Sequence, residues 1–196
     1  MSFNRLFWSS VVIGILGGIV MLVTNIMQMH GFVATEAGLT FVSFIAWSCY
    51  FFSGATPGNA IISWLSFIVG IVCAIFIFLL TDVMAGMGLD VMHLALPIAV
   101  MIGIVPMCLA ERLPFGNRVP SVYLGAATYF GMMGIPAVAA NGFLMVAVAE
   151  LVYAVIGLFA GFLTIKISGL FLPAAASPGA AGQTGDEAVP VKSLSE

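Results

Sequence analysis

Apolar residues fill six long stretches of the chain, at positions 6–27, 39–53, 60–81, 91–110, 120–133 and 143–170. A helix needs about 20 apolar residues to cross the hydrocarbon core of a bilayer. The pattern therefore predicts an all-α, polytopic membrane protein with six transmembrane helices, the second and fifth of them short. After position 172 the bulk disappears, in "PAAASPGAAGQTGDEAVPVKSLSE". A segment with so little apolar surface does not offset the entropy of ordering it. Residues 173–196 are thus expected to form a disordered cytoplasmic tail behind a membrane domain over 1–172.

Turn-forming residues gather at two matching places, "YFFSGATPGN" (50–59) and "YFGMMGIPAVAANG" (129–142). Tyr129 follows Tyr50 by 129 − 50 = 79 positions, and the same step carries Pro57 onto Pro136, with Gly54 and Gly134 ahead of the two prolines. Each motif ends the middle helix of a three-helix half. Two halves of three crossings traverse a membrane in opposite directions, which is the arrangement of inverted repeats whose interrupted helices face a solute near the midplane. Gly and Pro also make ordinary turns between helices. Both readings of the Gly54, Pro57, Gly134 and Pro136 breaks stay open at this point.

Composition supports the membrane assignment. Hydrophobic residues make up 62% and charged residues 7% of the chain, with a mean hydropathy of +1.21, whereas soluble domains carry about 25% charge. The first run is longer than the roughly 7–15-residue core of a secretory signal, and no convincing small-x-small cleavage site follows it, so it is expected to remain as a helix. Charge then orients the bundle. Six crossings place Arg5, Arg112, Arg118, Lys166 and Lys192 on one side and Glu36, Asp82 and Asp90 on the other. By the positive-inside rule both termini are cytoplasmic. A net charge of −3 with no basic patch gives no reason to expect nucleic acid as a partner. Cys49, Cys73 and Cys108 all lie in apolar runs and are expected to pack as small hydrophobes.

The run "FVSFIAWSCYFFSGATPGNAIISWLSFIVGIVCAI" places Trp47 in a small-residue helix, leads through Tyr50 and Phe51 to the Gly54 turn, and continues into a long helix containing Gly70. In these features it resembles domain-of-unknown-function family 1097, a family of small bacterial inner-membrane proteins. The resemblance implies a multi-pass inner-membrane protein and supplies no functional residues.

Glu150 is the leading candidate for chemistry. It falls about two turns inside the sixth run, where an ionised carboxylate costs several kcal/mol unless it faces water, a partner or a proton. It would line a polar path, hold a cation or proton, or donate to a solute while protonated; the structural alternative is a carboxyl tied to a neighbouring helix. Thr40, Ser43, Trp47, Tyr50 and Gly54 recur at steps of three and four and share one helical face. Glu150, Tyr153, Gly157, Gly161 and Thr164 form a similar stripe, and Gly14, Gly18 and Asn25 a third. Such faces turn inward in lipid, either to pack or to line a solute path through Asn25, Ser43, Trp47, Tyr50, Glu150 and Tyr153. Pro97 and Pro106 are expected to kink the fourth helix. The Met27–His30 and Met92–His93 pairs offer thioether and imidazole groups suited to Cu(I), but no thiolate or carboxylate set completes a site, so no metal or cofactor is expected. Enzyme signatures are missing, and no catalytic residues are expected. The resulting expectation is a homo-oligomeric channel or transporter for a small solute; the alternative is a non-transporting membrane subunit or regulatory protein.

Overall fold

The computed structural model describes residues 3–30, 38–114 and 118–171. Glu36, Lys192 and the 173–196 tail lie outside the described residues.

Each apolar run forms a helix. They are α1 (Phe3–Met29), α2 (Thr40–Phe52), α3 (Pro57–Gly86), α4 (Leu96–Leu109), α5 (Val119–Met133), a single extra turn α6 (Pro136–Ala139), and α7 (Gly142–Phe171). A π-helical turn, Val91–Ala95, leads into α4 and a 3-10 turn, Ala110–Arg112, leaves it. No strand occurs among the described residues. Among the described residues, four stretches are long and apolar enough to cross a membrane: Phe3–Met29, Pro57–Gly86, Val91–Arg112 and Gly142–Leu170. Of the six expected spans, α2 and α5 fall short of that length. At 1.5 Å per residue they rise only about 20 Å, against a hydrocarbon core of about 30 Å.

Local chemistry explains the helix ends. Thr56 accepts a hydrogen bond from the Asn59 amide (3.3 Å), and Pro57, which has no amide hydrogen to leave unpaired, opens α3. The chain reaches Thr56 through Gly54 at φ +91° and Ala55 at φ +54°, a left-handed pair that reverses direction after α2. Pro136 likewise opens α6, and the Asn141 side chain donates to the Ala137 and Val138 carbonyls (both 3.0 Å) to close it. Both prolines therefore begin a helix, and both breaks are helix-to-helix turns. Pro97 stands in the first turn of α4 beside the π-helical turn, while Pro106 lies inside the helix.

The helices pack in two equivalent pairs. α2 runs parallel along α7: Ser43 Oγ donates to the Tyr153 carbonyl (2.8 Å) and Trp47 Nε1 to Thr164 Oγ1 (3.0 Å). α3 runs parallel along α5, from Arg118, which donates to Asn59 (2.9 Å), up to the Phe78 and Phe130 rings, 4.7 Å apart. On the outside, α1 lies against α7 and α4 against α3. Lipid supplies no hydrophobic drive for helices to associate, so close packing through small residues must hold them. A Cβ on Gly157 would overlap the Ser43 carbonyl oxygen, and one on Gly70 would overlap the Val122 carbonyl oxygen.

These contacts repeat the sequence step. Ser43 and Val122 are 122 − 43 = 79 apart, as are Tyr50 and Tyr129. The two glycines are 157 − 70 = 87 apart, and the difference, 87 − 79 = 8, is the length inserted around α6. The tyrosines themselves perform one task. Tyr50 donates to the Ala55 carbonyl (3.0 Å) and Tyr129 to the Phe143 carbonyl (2.8 Å), each pinning the turn that follows its own helix.

Gly157→Val is expected to separate α2 from α7 and destabilise the fold by about 1–3 kcal/mol or more, the cost of overpacking. Melting in detergent and the monodisperse fraction would both fall. Gly14→Ala, where nothing lies within 4 Å of the added carbon, should leave them unchanged.

A buried carboxyl as candidate functional site

Glu150 sits on the inward stripe of α7 and has no exposed surface. Neither carboxyl oxygen has a hydrogen-bond partner among the described residues. Buried polar groups almost always find partners, and removing one partner from a buried charge costs several kcal/mol. As an anion so placed the carboxyl would need a proton, a cation or a bound water to satisfy it. Among the described residues it has no ion pair, the one salt bridge being His93 with Asp90.

Polar side chains of three helices lie in this part of the interior. Tyr153, one turn along α7, is fully buried and its hydroxyl is unpartnered. Gln28, near the end of α1, lies beside that hydroxyl without completing a hydrogen bond, so its Nε2 is also buried and unpartnered. Tyr129 on α5 is within electrostatic reach of Glu150. The cluster thus joins α1, α5 and α7, with two carboxyl oxygens, a hydroxyl and an amide nitrogen free to bond.

The remaining expected site residues are placed as follows. Ser43, Trp47 and Tyr50 are buried along α7, and the polar group of each is already engaged, by Tyr153, Thr164 and Ala55. They pack the α2–α7 seam. Asn25 is half-buried beside Thr24, which bonds Thr40 on α2 (2.7 Å between the hydroxyls). Gly14 and Gly18 face outward, and α1 instead packs through Leu16, Val20 and Thr24. That four-residue step continues to Gln28. The same regular spacing in the sequence marks Gln28 as inward-facing, a signal that goes unused when Gly14, Gly18 and Asn25 define the stripe. Gly54 and Pro57 shape the turn after α2, and Gly134 and Pro136 the turn after α5. Of the expected path residues, only Tyr50 lines a large groove, one that opens on the outer surface and also contains Pro57 and Trp64. Glu150 does not line it.

No group of three His, Cys, Asp or Glu side chains occurs among the described residues. His93 is committed to Asp90, with Nδ1 and Oδ1 2.7 Å apart. The His93 amide and ring together hold the Asp90 carboxyl below the usual carboxylate range. Because this folded value is depressed, its capping contribution is present above the ordinary carboxylate value and is lost as pH falls through the lowered one.

Apolar crossing helices, glycine-mediated seams and a sealed acid define an all-helical integral membrane protein with a polar cluster inside. The chain belongs to the family described as "Protein of unknown function (DUF1097)", whose family model matches residues 10–169. Comparison with curated proteins and with solved structures finds no match.

An unpartnered acid is a structural liability. Glu150→Met, similar in volume and able to fill the same space, is expected to raise the melting temperature in detergent. A fall would mean that the carboxyl serves as a structural tie. Trp47→Phe, which removes a satisfied donor and leaves Thr164 bonded to Ala160, should cost about 0.5–1.5 kcal/mol.

Proposed function

We propose that the protein moves a small solute across a bacterial inner membrane, as a six-crossing channel or transporter whose two inverted halves, α1–α3 and α4–α7, meet around Glu150. The observation that carries this reading is the carboxyl itself. It is buried in a membrane bundle, has no hydrogen bond among the described residues, and stands one turn from Tyr153, whose hydroxyl, like the Gln28 amide beside it, is buried and unpartnered among them. An intramembrane acid is by default a site for a proton, an ion or a solute.

The pairing of helices supports the two-half architecture, since α2 on α7 repeats as α5 on α3, through carbonyls 79 residues apart. Late α2 meets early α5, where Cys49 Sγ lies 3.1 Å from Ser121 Oγ, as expected of antiparallel halves. Inverted halves commonly bind their solute at the interface between them and open alternately to either side. The sealed carboxyl corresponds to the occluded state of such a cycle.

Orientation follows from charge. Arg5, Arg112, Arg118 and Lys166 all belong to one end of the bundle, at the start of α1, on either side of the α4–α5 connection and near the end of α7; Asp82 and Asp90 belong to the other. By the positive-inside rule the basic end, with both termini, is cytoplasmic. A bundle this thin, with much of α1 and α4 exposed, is completed in the membrane by further copies of itself.

The sealing of Glu150 also favours a second reading, a non-transporting subunit with a dry interior. Proteoliposome flux separates the two. Wild type should pass at least one member of a panel of protons, monovalent cations and small neutral polyols, and Glu150→Gln should reduce that flux to background. Equal and negligible flux from both across the panel, together with crosslinking to a different protein in native membranes, would favour the subunit.

A further inference from the structure

We propose that the species held at Glu150 is a proton, and that it enters from the end of the bundle towards which α1 runs and at which α7 begins, past Gln28 and Tyr153. The inference deepens the transport reading, on which its functional meaning rests, by naming the ion and its side of entry. Five buried polar side-chain atoms have no hydrogen-bond partner among the described residues. Four belong to Glu150, Tyr153 and Gln28; the fifth, Arg118 Nε, lies at the opposite end, beside the start of α5. The placement of the four is lopsided. Glu150 is 150 − 142 = 8 residues from the start of α7 and 171 − 150 = 21 from its end, so at 1.5 Å per residue it stands about 12 Å from one end of the helix and about 32 Å from the other. Gln28 is one residue from the end of α1 and Tyr129 four from the end of α5. Towards the other end the interior polar groups are bonded, Trp47 to Thr164, Ser63 to Ser53 and Cys49 to Ser121. Arg118 apart, the unpaired groups lie towards one face of the membrane and the paired ones towards the other.

The donor set identifies the occupant. Hard cations are held by about six or more oxygens. Here the unpartnered oxygens are one carboxyl and one hydroxyl, and Gln28 presents its nitrogen, whose hydrogens repel a cation. Of the titratable groups on the helices packed against α7, Tyr129 of α5 is within electrostatic reach of Glu150 and gives its hydroxyl to the Phe143 carbonyl. Cys73 of α3 lies in the same apolar cluster as Tyr153, and Cys49 and Tyr50 of α2 are bonded to Ser121 and Ala55. None of these supplies a positive charge. Arg5, at the start of α1, and Lys166, 166 − 150 = 16 residues further along α7, stand towards the basic end, and Asp82 is near the end of α3. Enclosure in an apolar bundle disfavours the charged form of a carboxyl. With a proton, Glu150 can donate through one oxygen and accept through the other, Tyr153 can do both, and Gln28 can donate. In the exchange step the carboxyl O–H bond breaks and the proton passes to a water oxygen as hydronium. The carboxylate then takes a proton back from hydronium arriving on the Gln28 side.

The test uses the full chain in liposomes and the infrared carbonyl stretch of a protonated carboxyl, followed after transfer into deuterium oxide. At neutral pH wild type should show this band and Glu150→Gln should lack it, with no change when sodium or potassium is added. Tyr153→Phe, which removes the hydroxyl and keeps the ring, and Gln28→Leu should each slow deuterium exchange about a hundredfold, the lower end of what a positioned proton-transfer group contributes. Arg118→Gln, at the other end, should leave the rate unchanged. A wild-type band that is absent, or that appears only when sodium and potassium are withdrawn, would overturn the proposal even if every variant misfolds. So would exchange at the wild-type rate in both Tyr153→Phe and Gln28→Leu, or exchange slowed by Arg118→Gln alone. The same vesicles separate this proposal from the transport reading. Solute flux without the band sinks the proton and leaves transport standing, whereas the band with its slowed exchange, in vesicles that pass nothing, upholds the proton and removes the transport reading.

Discussion

The fold depends on two places where helix backbones touch. At Gly157 and Gly70 the missing Cβ lets a carbonyl of the neighbouring helix, Ser43 or Val122, occupy the space a side chain would fill. In water such seams would be closed by hydrophobic burial. In lipid they must be closed by contact area and by hydrogen bonds that lipid cannot replace. The Ser43 and Trp47 bonds to α7, and the Trp64 bond to the Leu151 carbonyl (3.1 Å), add direction to contacts that glycine makes possible. They set the register in which the rest of α7 presents its side chains.

That register decides the fate of Glu150. Its stripe is the one that carries Gly157 and Gly161, so any arrangement that brings α7 onto α2 also drives the acid into the interior. Ser63 on α3, 150 − 63 = 87 residues earlier and so matched to Glu150 by the step that separates Gly70 from Gly157, bonds Ser53. At the matched position α3 thus has a serine paired with a second hydroxyl, where α7 has an acid without a partner among the described residues. The two helix pairs agree in backbone contact and differ in polarity there.

The outer surface follows a different rule. Residues that face lipid need only be apolar, and α1 and α4 are exposed along most of their length. Departures from this plain surface occur where helices diverge, between early α3 and late α7, and there the aromatic residues Trp64, Phe159 and Phe162 line the gap. Arg118 and Lys166 lie at the end of the bundle formed by the start of α5 and the end of α7.

The all-helical character, the placing of a helix on each apolar run, the short α2 and α5 and the matched turns were legible in the sequence, because each depends on local periodicity or on what a bilayer excludes. The inward stripes on α2 and α7 were legible for the same reason. The α1 stripe through Gly14 and Gly18 was not, since spacing shows which residues share a face but not which face meets a neighbour; the packed one carries Leu16, Val20, Thr24 and, by the same step, Gln28. Nor could the sequence show that Ser43, Trp47 and Tyr50 spend their polar groups on α7 and a turn, while the Glu150 carboxyl and the Tyr153 hydroxyl find no partner among the described residues. A hydrogen bond between residues 110 positions apart is fixed by how whole helices dock, and docking depends on shape at the seams. The sequence alone determined a helical membrane protein with an acid in its sixth apolar run. Only the tertiary structure determined that the acid is enclosed and unpaired, because enclosure is a property of neighbouring helices rather than of the segment that carries the residue.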